Sequence, residues 1–371
     1  MIKKIYSSIF LCSMAVLLVC QFPRVKNWKI QDLESSVQEN FFGRSMLFDI
    51  YGYIQLMISP NEIQQGDSMV VRLQDGRIAI PCSKADMTYQ KEETFLLSEK
   101  CKEEGVHFLY VNFPSQCGSD AELLSEGVYS SADENADELI SYLEENNVDI
   151  LDMRAILQDY HAEDIFYYTD HHWTTYAGLI SAQSIIHYLN NDETEFDEQL
   201  LEFNNFSLKK YNECWIGETG KYVSHTWANK RDSFTLIEPQ FATNLQYRIP
   251  NHNIDKTGDF SCLINKEIYN QHEIGYDSSS WHYSYLFSNY DYAELINNNL
   301  ADGKKILLIK DSFSMVVAPF LIIPSGRIIM WDTRYNTDSV TEYIDNHEID
   351  IVIVAYTQGS SISKPSMFQF N

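Results

Sequence analysis

The sequence predicts an α/β fold built on a mainly parallel central sheet flanked by helices. Three observations carry that reading. Short, continuously apolar runs recur as VHFLYVNF (106–113), KKILLIK (304–310), GRIIMWD (326–332) and DIVIVAY (350–356), the pattern of strands buried on both faces. Segments of helical period stand between them, and strands alternating with helices at this spacing indicate parallel units. Turn signals mark the boundaries, Asp75-Gly76 and Gly105 among them.

Taken in order, the chain opens with Lys3 and Lys4 before the apolar run IYSSIFLCSMAVLLVC (5–20), with Pro23 beyond it. A basic and then apolar start reads as export. No A-x-A-like cleavage site follows, so residues 1–22 are expected to be a signal peptide or a retained membrane anchor. The run is shorter than the ~20 residues of a comfortable span. Residues 31–58 place Phe41, Phe42, Leu47, Ile50 and Ile54 at helical spacing. Residues 70–80 (VVRLQDGRIAI) read as a hairpin. A helix is expected over 85–104, closed by Gly105, and the first buried strand follows at 106–113. An acidic helix (131–146) and a short strand (VDILDM) come next. Leu179, Ile180, Ile185, Ile186 and Leu189 then give residues 174–190 an apolar helical face. Near the C-terminus, DSFSMVVAPFL after the 304–310 strand and SVTEYIDNHE between the last two strands read as helices. Residues 195–300 break the pattern, being rich in Asn, Tyr and Ser. They are expected as an irregular insertion, a lid or small β subdomain, on one domain spanning 31–371.

The 371 residues carry 53 Asp and Glu against 27 Lys and Arg, a formal net charge of −26. Such a surface repels phosphate backbones, so nucleic acid is not an expected partner. Of seven cysteines, Cys12 and Cys20 lie in the apolar run. Cys82, Cys101, Cys117, Cys214 and Cys262 form no C-x-x-C pair, which removes zinc-ribbon and redox-motif readings. One or two disulfides are compatible with export.

Ligands of open α/β sheets bind at the carboxyl ends of the strands, and three polar groups fall there. Asp311 and Ser312 follow the 304–310 strand directly. A serine at that turn can be a nucleophile with helix-start N–H groups for an oxyanion, or simply an N-cap. The second group is YYTDHHWTTYAG (167–178). In an extended segment Asp170 and His172 face one side and His171 the other, so Asp170 can orient a His172 base. The competing reading has Asp170 cap the following helix. A metal site would need ligands beyond Asp170, His171 and His172; His161 and His187 are available, but nothing requires them. No metal and no cofactor is expected. Asp332 and Arg334 stand past the 326–332 strand, where Arg334 can stabilise negative charge or pair with Asp332. Tyr356 closes the same edge.

These blocks together resemble a known family pattern. YYTDHHWTTYAG is similar to the signature of the bacterial DHHW proteins and to the D-x-H-W block of the SGNH-hydrolase-like alginate O-acetyltransferases of the AlgX/AlgJ kind. ENFFGRS, FLYVNFPS, KKILLIKDSFSMVVAPFL and WDTRY agree in order, and the resemblance is thin across 195–280. It implies an SGNH-like domain with its blocks permuted, Asp-x-His before Ser. By motif, Ser312 matches the nucleophile, His172 the base and Asp170 its orienting carboxylate, while His171 is implied to be structural. Arg334 and Tyr356 match in location only, as oxyanion or substrate-binding positions. The resemblance further implies an extracytoplasmic enzyme that moves an acetyl group onto a polysaccharide, beside a membrane-bound O-acyltransferase as donor partner. A carbohydrate esterase with the same triad, or a non-catalytic glycan-binding or assembly protein, are the alternatives.

Overall fold

The computed structural model describes residues 43–371 except 119–122, 192–195 and 272–273, together with residues 16, 19 and 41. Most of the N-terminal apolar run therefore lies outside the described residues. Among those described, no helix is long and apolar enough to cross a membrane. The chain divides into two compact units, Met1–Pro60 with Ser224–Trp227, and Asn61–Val223 with Ala228–Asn371.

In the first unit, helix α1 (Arg44–Ile58) starts after Gly43, whose φ of 77° is the left-handed conformation that glycine adopts without strain. The helix expected over 31–58 is described only from Arg44 onward. Gly52 admits the 224–227 segment: a Cβ there would sit 1.6 Å from the Ser224 hydroxyl oxygen. The Trp227 indole N–H donates to the Ser59 carbonyl at 3.2 Å.

The second unit opens with a small antiparallel sheet, β1 (Glu62–Gln65), β2 (Ser68–Arg72) and β3 (Ile78–Ala79). The Asp75-Gly76 hairpin lies between β2 and β3. Helix α2 (Thr88–Glu103) ends before Gly105, at φ 71°. Then come β4 (His107–Phe113), α3 (Ala132–Glu145), β5 (Ile150–Asp152), α4 (Met153–Leu157) and α5 (Thr175–Asn191). The insertion supplies β6 (Phe206–Trp215), β7 (Asp232–Pro239), β8 (Leu245–Ile249), β9 (Ile254–Gly258) and β10 (Tyr292–Asn297). The chain closes with β11 (Lys305–Lys310), β12 (Arg327–Trp331), α6 (Val340–Asn346) and β13 (Ile351–Thr357).

The large sheet runs β5-β4-β13-β11-β12-β10-β8-β9. Its first five strands are mutually parallel, and the last three pair antiparallel. Alternation explains the apolar runs. Leu109, Val111, Ile306, Leu308, Ile353 and Met330 pack on one face. Phe108, Tyr110, Leu307, Ile309, Val354 and Trp331 pack on the other. With both faces covered, successive positions along the middle of these strands are apolar, and the polar residues (Asn112, Lys310, Thr357) fall toward the carboxyl ends.

Residues 195–300 divide between two roles. β6 and β7 form a separate two-stranded ribbon, whereas β8, β9 and β10 extend the central sheet beyond β12. The stretch after β11 also departs from expectation: instead of one helix it forms a 3-10 turn (Ser312–Val316) and a single α turn (Ala318–Leu321). Pro319 cannot donate into a continuous helix there. The five described cysteines are free thiols.

Candidate active site

β11 ends at Lys310 and Asp311 follows it, both buried. Asp311, not Ser312, caps the 3-10 turn. Its Oδ1 accepts the Phe313 N–H at 2.9 Å, and its Oδ2 accepts the Thr357 N–H and the Ser361 hydroxyl, each at 2.7 Å. With capping done by Asp311, the Ser312 side chain is left to point elsewhere.

It points at His172. Ser312 Oγ lies 2.8 Å from His172 Nε2, and His172 Nδ1 lies 2.6 Å from Asp170 Oδ1. The local backbone is not the extended segment that the spacing suggested. Asp170 Oδ1 also accepts the His172 backbone N–H at 3.0 Å, an Asx turn that bends the chain and presents the ring to its own carboxylate. Asp170 does not cap the next helix; the Thr174 hydroxyl does, accepting the Ala177 N–H at 3.2 Å. Asp170 Oδ2 accepts the Glu218 N–H at 2.7 Å, and its carbonyl accepts from Gln116 Nε2 at 2.8 Å.

Three neighbours hold this turn. Gly217 passes so close that a Cβ on it would lie 2.2 Å from Asp170 Cβ. Asp232 accepts the Tyr168 and Thr169 N–H groups just upstream, and burial raises its carboxyl to about 6. Trp173 packs on Phe113 and Phe313, and its indole N–H donates to the Phe313 carbonyl at 2.9 Å. The tryptophan of the motif therefore ties the histidine segment to the serine turn directly.

Burial alone would raise the Asp170 carboxyl, but the charge and hydrogen bond of His172, with His171 and His282 nearby, hold it far below the usual range. A carboxylate ionised throughout the neutral range fixes the tautomer: Nδ1–H donates to Asp170, and Nε2 is left to accept from Ser312.

His282, which no spacing rule singled out, completes the arrangement. It sits in a 3-10 turn, Trp281–Ser284, capped by the Ser280 hydroxyl. Its ring stacks on His172 with centroids 3.6 Å apart and planes 9° apart, and its Nε2–H donates to the Ser312 carbonyl at 2.9 Å. Desolvation and the charge of His172 push its pKa well below 6.5, so it stays neutral. His171 is not turned to the opposite side as alternation implied. Its half-exposed ring lies 3.8 Å from that of His172. Desolvation, then the positive charges of His172 and Arg334, lower it to about 4.

The other candidates fall differently. Arg334 forks onto Asp332, with Nε to Oδ1 at 2.8 Å and Nη2 to Oδ2 at 2.6 Å. Asp332 is also held by Asn289 at 2.7 Å and Lys310 at 3.2 Å. The hydrogen bonds of Arg334 thus go to this buried network, and only its charge reaches His171. Tyr356 is corrected outright. It packs on the sheet face opposite Trp173 and Phe313, and its hydroxyl donates to the Met367 carbonyl at 2.5 Å. Alternation along β13 places it there. The ligand atoms of Asp170, His171 and His172 lie within 4.8 Å of one another. Asp170 already accepts three N–H groups and His172 Nε2 faces Ser312, so the cluster is organised as a relay rather than a cage. His161 precedes a short turn (Ala162–Ile165) without a capping bond from its ring, and His187 pairs with Glu198 at 3.2 Å.

Comparison with known proteins bears on the fold that carries this site. A family model described as SGNH hydrolase-like domain, acetyltransferase AlgX, matches residues 75–227, which contain Asp170 and His172 but stop before Ser312. No curated protein sequence matches. Among solved structures, a DHHW family protein from Eubacterium siraeum DSM 15702 is 19% identical over 83% of this chain and 96% of its own, with a TM-score of 0.59. Bacillus cereus PatB1 is 18% identical over 82% of this chain and 100% of its own, with a TM-score of 0.65. Its structure with a sulfonyl adduct is 17% identical over 81% and 99%, with a TM-score of 0.64. At these identities the likeness is one of fold, a mixed α/β fold resembling SGNH-like domains.

Proposed function

We propose that this chain is an extracytoplasmic O-acetyltransferase that carries the acetyl group on Ser312 and delivers it to a polysaccharide. The observation that supports the reading most is the unbroken relay Asp170 Oδ1–His172–Ser312 Oγ, at 2.6 and 2.8 Å. Distances of this size are those a general base needs to reach the proton it removes.

In the first half-reaction His172 Nε2 takes the Ser312 proton as Oγ attacks the acetyl carbonyl. The oxyanion that forms is met by the Ser312 N–H, since the Phe313 N–H is engaged by Asp311. The bond to the donor's leaving group breaks, and the imidazolium returns its proton to that group. Asp170 balances the imidazolium without itself taking a proton. In the second half-reaction a sugar hydroxyl replaces serine as nucleophile: its proton goes to Nε2, its oxygen bonds to the acetyl carbon, and the proton passes to Ser312 Oγ as that ester breaks. His282, stacked on the ring and bonded to the Ser312 carbonyl, keeps base and nucleophile in register. Export through the Lys3-Lys4 and 5–20 segment, with a membrane-bound O-acyltransferase as donor, is the setting we propose. The acetyltransferase description of the matched family model favours transfer over hydrolysis.

The test is intact-protein mass spectrometry after incubation with p-nitrophenyl acetate or a sulfonyl fluoride. A single adduct mapping to Ser312, absent in Ser312→Ala, is expected. If both proteins stay unlabelled and cleave no ester, the reading fails and a non-catalytic glycan-binding role takes its place. Labelling followed by hydrolysis alone, whatever sugar is added, makes the chain an esterase.

A further inference from the structure

Helix α1 is built inside out. Of its 15 residues only Gly52 is buried. Met46, Leu47, Ile50, Ile54, Met57 and Ile58 are instead 42–73% exposed. At roughly 3.6 residues per turn these six fall in one stripe about 160° wide, with Tyr53 at one margin and Tyr51 at the other. The opposite side, which carries Phe48, Asp49, Gly52, Gln55 and Leu56, is the half-buried or buried one. A surface helix of a globular protein turns its apolar stripe to the core and its polar side to water. Here the order is reversed, and contiguous exposed apolar surface marks contact with a partner or a membrane.

Charge points to what covers the stripe. Residues 1–30 carry Lys3, Lys4, Arg24, Lys26 and Lys29 and no Asp or Glu, in a chain with 53 acidic residues against 27 basic. These cations flank the apolar run 5–20 on both sides, and an anionic lipid leaflet attracts basic segments placed in this way. A second copy of the chain would set the same cations against one another, like against like. The run 5–20 does not cover the stripe through its described residues either: Val16 and Val19 are helical and 61% and 73% exposed. Two apolar helical segments, joined by a basic stretch and each exposed, call for one common apolar phase. The tyrosines agree with that phase being a bilayer, because Tyr favours the membrane–water interface, and that level falls at the two margins of a stripe lying in the membrane plane. Length sets the orientation. The 15 residues of α1 reach about 22 Å, short of the ~30 Å hydrocarbon core, so the helix lies along the surface.

We infer that α1 docks flat on an anionic phospholipid surface, with Met46, Ile50, Ile54 and Met57 among the acyl chains and Tyr51 and Tyr53 at headgroup level. The run 5–20 is shorter than the ~20 residues of a comfortable span, and α1 adds a second apolar attachment beside it, with basic residues supplying the electrostatic part. The Ser224–Trp227 segment, which Gly52 admits on the other side of the helix, is held at the membrane with it. The inference goes beyond the acyl-serine reading and does not depend on it.

The test is photolabelling from the lipid. Full-length protein is reconstituted into vesicles of phosphatidylethanolamine and phosphatidylglycerol that hold a trace of phosphatidylglycerol with a diazirine in its acyl chain. After illumination, lipid adducts are mapped by peptide mass spectrometry. Adducts are expected within residues 46–58, on the stripe, as well as in 5–20. In the double variant Ile50→Ser, Ile54→Ser, labelling of 44–58 should fall about fivefold as apolar area is lost. Both side chains are exposed, so Tm and Ser312 labelling should stay at the wild-type level. In vesicles of phosphatidylcholine alone, labelling of 44–58 in the wild type should fall about threefold. Adducts confined to 5–20, the result expected if protein covers α1, overturn the inference, as does undiminished labelling in the double variant. Equal labelling in the two kinds of vesicle overturns the choice of an anionic surface.

Discussion

Gly217→Ala adds one methyl group where there is no room for it. The new Cβ would lie 2.2 Å from Asp170 Cβ, 2.4 Å from its Cα and 2.5 Å from its backbone nitrogen. Carbon atoms at rest stand about 3.5–4.0 Å apart, so the two segments must separate by about 1.3 Å or more. Asp170 has little freedom to yield: it accepts from His172 twice, from the Glu218 N–H and from Gln116. All of the crowding atoms are backbone or Cβ, so no rotamer change relieves them. Overpacking of this kind costs about 1–3 kcal/mol of stability. The larger consequence is in rate, because a displacement of about 1 Å in a catalytic group costs on the order of 100-fold. We expect Gly217→Ala to fold, with a lower Tm, and to acetylate Ser312 about 100-fold more slowly. The assay is burst-phase release of p-nitrophenol alongside thermal unfolding by circular dichroism. A variant that remains folded and acetylates at the wild-type rate would show that the position of Asp170 does not matter to the chemistry.

Asp170→Asn keeps the packing but loses the acceptor that fixes the His172 tautomer, and kcat should drop by about 10⁴, read from ester hydrolysis at neutral pH. Trp173→Phe leaves the buried Phe313 carbonyl without its donor; the expected loss is about 1–3 kcal/mol, measured by denaturant unfolding, with slower Ser312 labelling. Stability should fall as pH is lowered from 7.5 to 5. His171, at about 4, and His282, well below 6.5, bind protons less readily folded than unfolded, so acid favours the unfolded chain below about 6.5. Asp232, raised to about 6, acts in the opposite sense: its stabilisation is present at low pH and is lost as pH rises through that value. His282→Phe removes one histidine contribution and should flatten the acid decline of Tm; an equally steep decline would remove His282 from the account.

The central strands were legible because burial on both faces makes consecutive residues apolar, as in 108–111 and 351–355. The same feature concealed the face on which Tyr356 lies, since a run without polar alternation carries no phase. β8, β9 and β10 were hidden for the converse reason. LQYRI alternates buried with half-exposed positions, IDKTG alternates half-exposed with exposed ones, and both mix polar residues in, which a short irregular segment also does. The Asp170-His172 pairing could be read from local spacing, but its geometry is an Asx turn, and hence His171 stays beside His172. Ser312 was legible from its place after β11. His282 was not, because its role depends on a three-dimensional approach from the insertion, and the Ser280 cap before it is a signal shared with any turn.

Asp311 gives the site a property that bears on how it can be altered. One carboxylate fastens the serine turn on one side and, through the Thr357 N–H and Ser361 hydroxyl, the loop after β13 on the other. Thr357 both fastens Asp311 and borders the cavity beside His171, whereas 360, 363 and 364 border it without bonding Asp311. A library that varies 360, 363 and 364 while keeping 357 and 361 therefore diversifies the wall of that cavity without unfastening the nucleophile. The loop is divided, residue by residue, into a hinge that has to be kept and a face that is open to redesign.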